Sequence, residues 1–232
     1  MECIFFESPP LDVYGQMALD EALINALPSG ACALRIFNWA AQPGATFGYA
    51  QFEASAAAQI KAAGIKEYTR RPTGGGVVLH RDDLTFSLFF PSPNPFSPAE
   101  IYGRLHALIK AEFAKNNTVL GAYNQASDYR PAPGGVSANC FTNPVSDDLL
   151  SVQGDKVLGG AIRRFGDRVL YQGSLQLEGA RQNSLYGRII EAGAQQFFNA
   201  QAQRQAVGNN VLNMAYDLAQ KVYITQAWIG KF

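Results

Sequence analysis

Residues 147–179 constrain the fold more than any other part of the sequence. Their sequence, DDLLSVQGDKVLGGAIRRFGDRVLYQGSLQLEG, places Gly154-Asp155 and Gly166-Asp167 between short apolar segments. Such Gly-Asp pairs are typical of tight turns that join antiparallel strands. The segment therefore predicts successive short strands of an antiparallel sheet.

Strands and helices are predicted on both sides of this segment. Residues 32–39 and 44–52 predict a pair of strands, and LTFSLFF at residues 84–90 predicts another by its alternating apolar side chains. Apolar spacing predicts helices at residues 15–27, 54–64, 99–116, 183–200 and 208–221, the third one capped by Ser97 with Glu100. The polar, Gly- and Pro-rich residues 121–139 predict a mobile surface loop. With no regular strand-helix-strand alternation and no composition break, residues 1–232 are expected to form one α+β domain, a mixed and mostly antiparallel sheet flanked by helices.

Composition excludes several classes of function. The 232 residues contain 19 Lys+Arg and 19 Asp+Glu, so the formal net charge is zero and no broad basic face predicts binding to nucleic acid. The cysteines Cys3, Cys32 and Cys140 have no CxxC spacing, which argues against a disulfide framework and against a structural zinc site. The first residues carry neither a signal peptide nor a membrane-spanning run. A soluble, cytoplasmic protein is expected, with no membrane partner.

The segment EYTRRPTGGGVVLH, residues 67–80, combines two arginines with three successive glycines. Glycines allow positive φ angles and let ligand atoms approach backbone N–H groups, which favour anions such as phosphate or carboxylate. The alternative is a glycine bulge within a sheet. Since side chains alternate along a strand, either Arg70 or Arg71 is expected to share the glycine face and the other to face solvent. His80 is open to a catalytic or a structural interpretation, and His106 is expected to be structural.

A second group of candidate residues lies in CFTNPVSDDLLSVQGDKVLGGAIRR, residues 140–164. Lys156 precedes Gly159 and Gly160, so its ammonium group has room to extend into the space that those glycines leave open, where it would suit a phosphate or acyl oxygen. The alternative is a surface lysine beside a hairpin turn. Cys140 is nucleophilic if it lies near a lysine and backbone N–H donors, and inert if it is buried. The sequence leaves both alternatives open.

Taken together, these segments resemble the lipoate-protein ligases and the related octanoyltransferases. RRPTGGGVVLH is similar to their RRxxGGGxVxH signature, and GDKVLGGAIRR with LYQGSLQLE is similar to their lysine segment and the strand that follows. QMALDEALI, LRIFNW and NMAYDLAQKVYITQAWIGKF extend the resemblance over nearly the whole chain. It implies a catalytic domain of the biotin-ligase type, related to class II synthetase cores. Biotin is not the expected substrate, because the GRGRxxR-type loop of biotin ligases is absent.

The resemblance also implies roles for individual residues. Lys156 corresponds to the lysine that contacts the acyl carbonyl and, in ligases, the phosphate, and Asp148 to an aspartate that many ligases carry before it. The acyl or acyl-adenylate pocket would be lined by Arg71, Gly74, Gly75, Gly76, Val77, Val78, Leu79, His80, Gly159, Gly160 and Ala161. No metal ligand is implied. Ligases usually have His-Asp where this chain has His80-Arg81-Asp82-Asp83, so the function of that aspartate has either moved or been lost.

Two reactions compete within this family. CFTNPVSDDLL resembles the CFxxPS segment of the cysteine-dependent octanoyltransferases, which favours transfer of an octanoyl group from acyl carrier protein through a Cys140 thioester, without a cofactor. The alternative is an ATP- and Mg²⁺-dependent ligase that activates free lipoate or octanoate. In both cases the acceptor would be a lysine of an apo lipoyl domain of a 2-oxoacid dehydrogenase, or of glycine cleavage H protein. A third possibility is a homologue that binds acyl groups or lipoyl domains without turnover.

Overall fold

The computed structural model describes residues 2–124 and 144–232. In this part of the chain the strands are β1 (Cys3–Glu7), β2 (Cys32–Ile36), β3 (Gly44–Phe47), β4 (Glu67–Arg70), β5 (Val78–His80), β6 (Leu84–Pro91), β7 (Gly121–Ala122), β8 (Leu149–Leu150), β9 (Lys156–Phe165), β10 (Arg168–Leu175) and β11 (Gln203–Ala206). The helices are α1 (Val13–Ala26), α2 (Glu53–Ala62), α3 (Pro98–Lys115), α4 (Ser184–Phe198), α5 (Asn209–Leu218) and α6 (Gln226–Ile229), with a π-helical turn at Ala219–Tyr223.

The strands form two sheets. An eight-stranded sheet has the order β11-β1-β2-β6-β10-β9-β8-β7, and a three-stranded sheet has the order β4-β3-β5. The strand β1 is parallel to β11 and β2, and β3 is parallel to β4, whereas the remaining pairs in these sheets are antiparallel. The predicted α+β class with a mixed, mostly antiparallel sheet is confirmed.

Helices cover both faces of the large sheet. Along β6, Phe86 packs with Leu105 of α3 and Ile190 of α4, whereas Phe89 points to the opposite face and packs with Leu23 of α1. Ser97 accepts a hydrogen bond from the backbone N–H of Glu100 at the start of α3, as its predicted capping role requires. The alternation along β6 therefore separates two apolar layers, which is why a central strand is apolar on both faces.

The two successive arginines at the end of β4 are both buried. Arg71 follows β4 and is 5% exposed, and Arg70 within β4 is 0% exposed, so the expectation that one of them faces solvent is wrong. The guanidinium of Arg70 donates hydrogen bonds to the carbonyl oxygens of Tyr49 at 2.5 Å, Gln51 at 2.7 Å and Ile229 at 2.7 Å. The reason is that α6 packs over β4 and brings backbone carbonyl groups that need donors.

Three other expectations need correction or limits. The segments around β2 and β3 are both strands, but they belong to different sheets and are not paired with each other. Gly121–Ala122 forms β7 instead of the start of a loop, and residues 125–139 of the predicted loop lie outside the described residues. The strand β11 was not predicted. No helix among the described residues is both long and apolar enough to cross a membrane.

Candidate active site

A cavity lies between the large sheet, the small sheet and α1. Its lining residues are Met17, Thr46, Arg71, Val78, His80, Thr85, Gly159, Gly160, Ala161, Gln172, Gly173 and Ser174. Six predicted site residues are among them: Arg71, Val78, His80, Gly159, Gly160 and Ala161. The others that the structure describes, Gly74, Gly75, Gly76, Val77, Leu79, Asp148 and Lys156, do not line it. The two sequence segments that were singled out therefore meet at one cavity.

Small residues on the large sheet make room for this cavity. Ala161 on β9 is the register partner of Gln172 on β10, and Gly159 is the partner of Ser174. These positions alternate along each strand, so their side chains face the same side of the sheet. The small residues Gly159, Ala161 and Ser174 leave room on this face of the sheet.

The polar side chains around the cavity are hydrogen-bonded to one another. His80 contacts Asp83 Oδ2 through Nδ1 at 2.9 Å and Thr46 Oγ1 through Nε2 at 3.0 Å. The hydroxyl groups of Thr85 and Ser174 each donate to Asp83 Oδ2 at 2.7 Å. Burial raises the pKa of Asp83, but the His80 ring and these donors together lower it by more, so the net shift is downward. With its polar groups occupied in this way, the wall open to the cavity is mainly carbon.

His80 therefore has a well-defined structural environment. Both ring nitrogens have partners, and the ring stacks on Trp39 with a centroid distance of 4.6 Å. The carboxylate that contacts His80 belongs to Asp83, three residues further along the chain, instead of the residue that directly follows it. A catalytic role for His80 stays a hypothesis, because its ring also lines the cavity.

Gln172 was missed by the sequence analysis. Its side-chain oxygen accepts a hydrogen bond from Thr73 Oγ1 at 2.6 Å, and its nitrogen donates to Asp20 Oδ2 at 2.7 Å. Asp20 also forms a fully buried ion pair with Arg35 at 2.7 Å. Gln172 thus connects the glycine-containing loop to the polar centre of the protein. The available signal was the glutamine itself, an uncharged polar residue in an otherwise apolar strand.

The three glycines form a loop between β4 and β5, not a bulge within a strand ladder. Arg71 donates to the carbonyl oxygen of Gly74 at 3.0 Å from Nε and 2.5 Å from Nη2, which holds the loop against the cavity. Gly75 has a φ of +89°, and its carbonyl oxygen lies so near Gly48 that a Cβ on Gly48 would be 1.9 Å away. Within residues 2–124 and 144–232, the backbone N–H groups of Gly74, Gly75 and Gly76 donate to no acceptor. Backbone N–H groups of this kind are able to bind an anionic oxygen atom.

Lys156 is buried beside the cavity and forms an ion pair with Asp148 at 2.7 Å. A Cβ on Gly159 would lie 2.3 Å from Cε and 2.6 Å from Nζ of Lys156, so the missing side chain is what admits the ammonium group. The interpretation as a surface lysine is therefore wrong. The expectation that Gly160 leaves open space for the Lys156 ammonium group is also wrong. A Cβ on Gly160 would lie 2.3 Å from the hydroxyl oxygen of Tyr171, which fills that space. Strand alternation turns Gly160 to the opposite face.

Two further predictions concern Cys140 and His106. Cys140 lies outside the described residues, so its contact with Lys156 stays a prediction. His106 is buried, and it contacts the carbonyl oxygen of Asp147 at 2.8 Å and the hydroxyl of Tyr171 at 2.6 Å. Burial lowers the pKa of His106 to about 3. These contacts agree with the expected structural role. No cluster of three or more His, Cys, Asp or Glu in the described part of the chain is arranged to hold a metal ion.

Comparison with known proteins identifies the class of protein. The model of the lipoyl protein ligase A/B catalytic domain matches residues 12–227, so the chain belongs to this family. It is 31% identical to octanoyltransferase LipM of Oceanobacillus iheyensis over 185 residues, covering 75% of this chain and 63% of that protein. It is 33% identical to LipM of Carboxydothermus hydrogenoformans over 172 residues, covering 70% of this chain and 60% of that protein. The chain thus spans less than two thirds of the length of these curated relatives.

Solved structures show the same fold. A lipoate-protein ligase A bound with ATP superposes with a TM-score of 0.80 at 17% identity, over 100% of both chains. A bi-partite lipoate protein ligase from Thermoplasma acidophilum superposes with a TM-score of 0.71 at 16% identity, over 100% of this chain and 97% of that one. The predicted family and the predicted catalytic-domain fold are both confirmed.

Proposed function

We propose that this protein transfers an octanoyl group from a carrier-protein thioester to a lysine side chain of a lipoyl domain. The observation that carries the proposal is a cavity with a carbon wall that ends beside a buried lysine. The carbon wall would contact an alkyl chain, and the lysine ammonium group would donate a hydrogen bond to an acyl carbonyl oxygen. The LipM relatives, which are named octanoyltransferases, support the same reaction.

The cavity suits the apolar part of such a substrate. The part of its wall that is open to a ligand is mainly carbon. Its polar lining groups already have hydrogen-bond partners, so an alkyl chain can enter without leaving them unpaired. Each methylene group that moves from water into the cavity contributes about 0.8 kcal/mol. Binding of the chain would therefore hold the reacting carbonyl near Lys156.

The carbonyl end would meet two kinds of donor. The Lys156 ammonium group and the N–H groups of Gly74, Gly75 and Gly76 are able to donate hydrogen bonds to an oxygen that gains negative charge. Donors that are fixed before the reaction stabilise a developing oxyanion without reorganisation in the transition state. The ion pair with Asp148 fixes the lysine in this way.

The proposed reaction has two steps, with Cys140 as nucleophile. In the first, the Cys140 thiolate attacks the donor carbonyl carbon, its C–S bond forms, the C–S bond to the carrier breaks, and the carrier thiol takes up a proton. In the second, the neutral amine of the acceptor lysine attacks the acyl-Cys140 carbonyl. The amide bond forms, the Cys140 thiolate leaves, and the amine loses its extra proton. Neither step requires ATP, a metal or another cofactor.

The proposed donor is octanoyl-acyl carrier protein. The proposed acceptors are apo lipoyl domains of 2-oxoacid dehydrogenases or glycine cleavage H protein, and the proposed location is the cytoplasm. The alternative is an ATP-dependent ligase, in which the carboxylate of free lipoate or octanoate attacks the α-phosphate of ATP with Mg²⁺. The glycine N–H groups favour this alternative specifically, because they suit a phosphate oxygen as well as a carbonyl oxygen.

One assay separates these reactions. The protein is incubated with an apo lipoyl domain and either octanoyl-acyl carrier protein or octanoate with ATP and Mg²⁺, and intact mass reports acceptor modification. We expect modification from the thioester without ATP, loss of that activity in Cys140→Ser, and its retention in the matched variant Cys3→Ser, since Cys3 lies in β1 away from the cavity lining. Modification only with ATP would identify a ligase. No modification in either arm would identify a binding homologue.

A further inference from the structure

A buried tyrosine supports Lys156 from outside the cavity. Tyr102 lies in α3, on the opposite face of the large sheet, and its hydroxyl group donates a hydrogen bond to Asp148 Oδ1. The same hydroxyl oxygen accepts a hydrogen bond from the backbone N–H of Gly160 at 2.9 Å. Tyr102 therefore ties the carboxylate of Asp148 to the strand that carries Lys156.

Asp148 distributes its two oxygens between three partners. Oδ2 contacts Lys156 Nζ at 2.7 Å and accepts the backbone N–H of Val145 at 2.7 Å, while Oδ1 accepts the Tyr102 hydroxyl. In the sequence, Val145 follows Cys140 by five positions. A carboxylate with one oxygen unbound would be free to rotate, so the tyrosine fixes the orientation in which Lys156 and Val145 are both bound.

We propose that Tyr102 is a positioning residue that holds Lys156 in its reactive place through Asp148. The expected effect on the reaction rate rests on the proposed function, whereas the expected effect on the position of Lys156 does not. Tyr102 does not line the cavity, so it acts on the reaction only through the groups it orients.

The environment of Tyr102 argues against direct proton transfer. Burial, with the neighbouring Asp148 carboxylate, raises the pKa of Tyr102 well above its usual value. The hydroxyl group therefore keeps its proton at neutral pH and remains a donor to Asp148. Its ring also packs on the ring of His106, with a centroid distance of 4.0 Å, which limits its movement. A fixed donor of this kind is suited to orientation.

The test compares Tyr102→Phe with the matched control Tyr171→Phe. Both substitutions remove one buried hydroxyl from the same cluster, but the Tyr171 hydroxyl contacts His106, whereas the Tyr102 hydroxyl contacts Asp148. In the acceptor-modification assay we expect Tyr102→Phe to lower kcat about 10- to 100-fold, with the KM for the acyl donor unchanged. We expect Tyr171→Phe to keep a kcat close to that of the wild type.

A second readout does not depend on activity. Brief treatment with acetic anhydride, followed by peptide mass spectrometry, measures the reactivity of Lys156 relative to the exposed Lys61. Tyr102→Phe is expected to increase acetylation of Lys156 several-fold, and Tyr171→Phe to leave it unchanged. Equal behaviour of the two variants in both readouts would overturn the positioning role. A wild-type protein without activity, but with the expected labelling difference, would instead overturn the proposed function alone.

Discussion

The buried side chain of His106 leads to a prediction of how the free energy of unfolding depends on pH. Its Nδ1 faces the carbonyl oxygen of Asp147, which only accepts, so Nδ1 carries the proton and Nε2 accepts from the hydroxyl of Tyr171. The neutral ring is therefore satisfied on both sides. Burial lowers the pKa of His106 to about 3, with a smaller contribution from the positive charge of Lys156.

The sign of the effect follows from proton binding in the two states. In the unfolded chain His106 takes up a proton as the pH falls through about 6.5, but in the folded protein it does so only near a pH of about 3. Between these values the unfolded state binds more protons, so the free energy of unfolding decreases as the pH falls. The full difference corresponds to about 5 kcal/mol, of which about 2 kcal/mol is lost between pH 7 and pH 5.

The assay is urea unfolding of the wild type and of His106→Asn at several pH values between 5 and 8. The asparagine keeps an N–H donor toward Asp147 but does not titrate in this range. The two proteins share every other titratable side chain, so the difference between their pH profiles isolates His106. The wild type should lose about 2 kcal/mol more than the variant between pH 7 and pH 5. Parallel pH profiles for the two proteins would refute the reasoning.

Four other substitutions test the site. Gly159→Ala is expected to lower acceptor modification at least about tenfold, as initial rates would measure, because the added Cβ would lie 2.3 Å from Lys156 Cε. Asp148→Asn and Lys156→Met are each expected to lower the free energy of unfolding by about 3–5 kcal/mol, and the double variant by less than their sum, in a double-mutant cycle. Gln172→Glu, a buried carboxylic acid beside Asp20, is expected to keep its proton when folded. Its stability should therefore fall above a pH of about 4.3, by up to about 1.4 kcal/mol per pH unit in urea unfolding.

Matched controls are available for two of these changes. Gly121→Ala adds a Cβ whose nearest neighbour, Leu150 Cβ, is at an ordinary distance of 3.7 Å, and Gln182→Glu makes the same substitution as Gln172→Glu on an exposed residue. Equal loss of activity in both alanine variants would contradict the steric argument for Gly159. A pH profile shared by the two glutamate variants would contradict the argument from burial.

Local signals predicted most elements of the fold. Gly154 and Gly166 both adopt positive φ angles, of +90° and +58°, at the turns before β9 and before β10. Apolar spacing likewise identified α1 and the alternation along β6. The strand β11, with residues Gln203–Ala206, was missed because its side chains are exposed. A polar edge strand has no hydrophobic alternation, and only its pairing with β1 defines it.

Side-chain partners that are distant in sequence were not predictable in the same way. Arg70 is buried because carbonyl groups near Ile229 lie over it, more than 150 positions away, and no local pattern contains that fact. The resemblance to a family pointed to two segments that contribute residues to the cavity lining, but not to the hydrogen-bond network behind them. Tyr102 and Gln172 lie in ordinary helix and strand patterns, so only the tertiary arrangement shows which groups they hydrogen-bond.

Gly159 and Gly160 lack side chains on opposite faces of the large sheet. Gly159 admits the ammonium group of Lys156 on the cavity side, whereas Gly160 admits the Tyr171 hydroxyl on the side of α3. Because Tyr171 contacts His106, and the charge of Lys156 lowers the pKa of His106, the two sides are also coupled electrostatically. A ring that takes up a proton only near a pH of about 3 therefore adds no positive charge beside Lys156 at neutral pH.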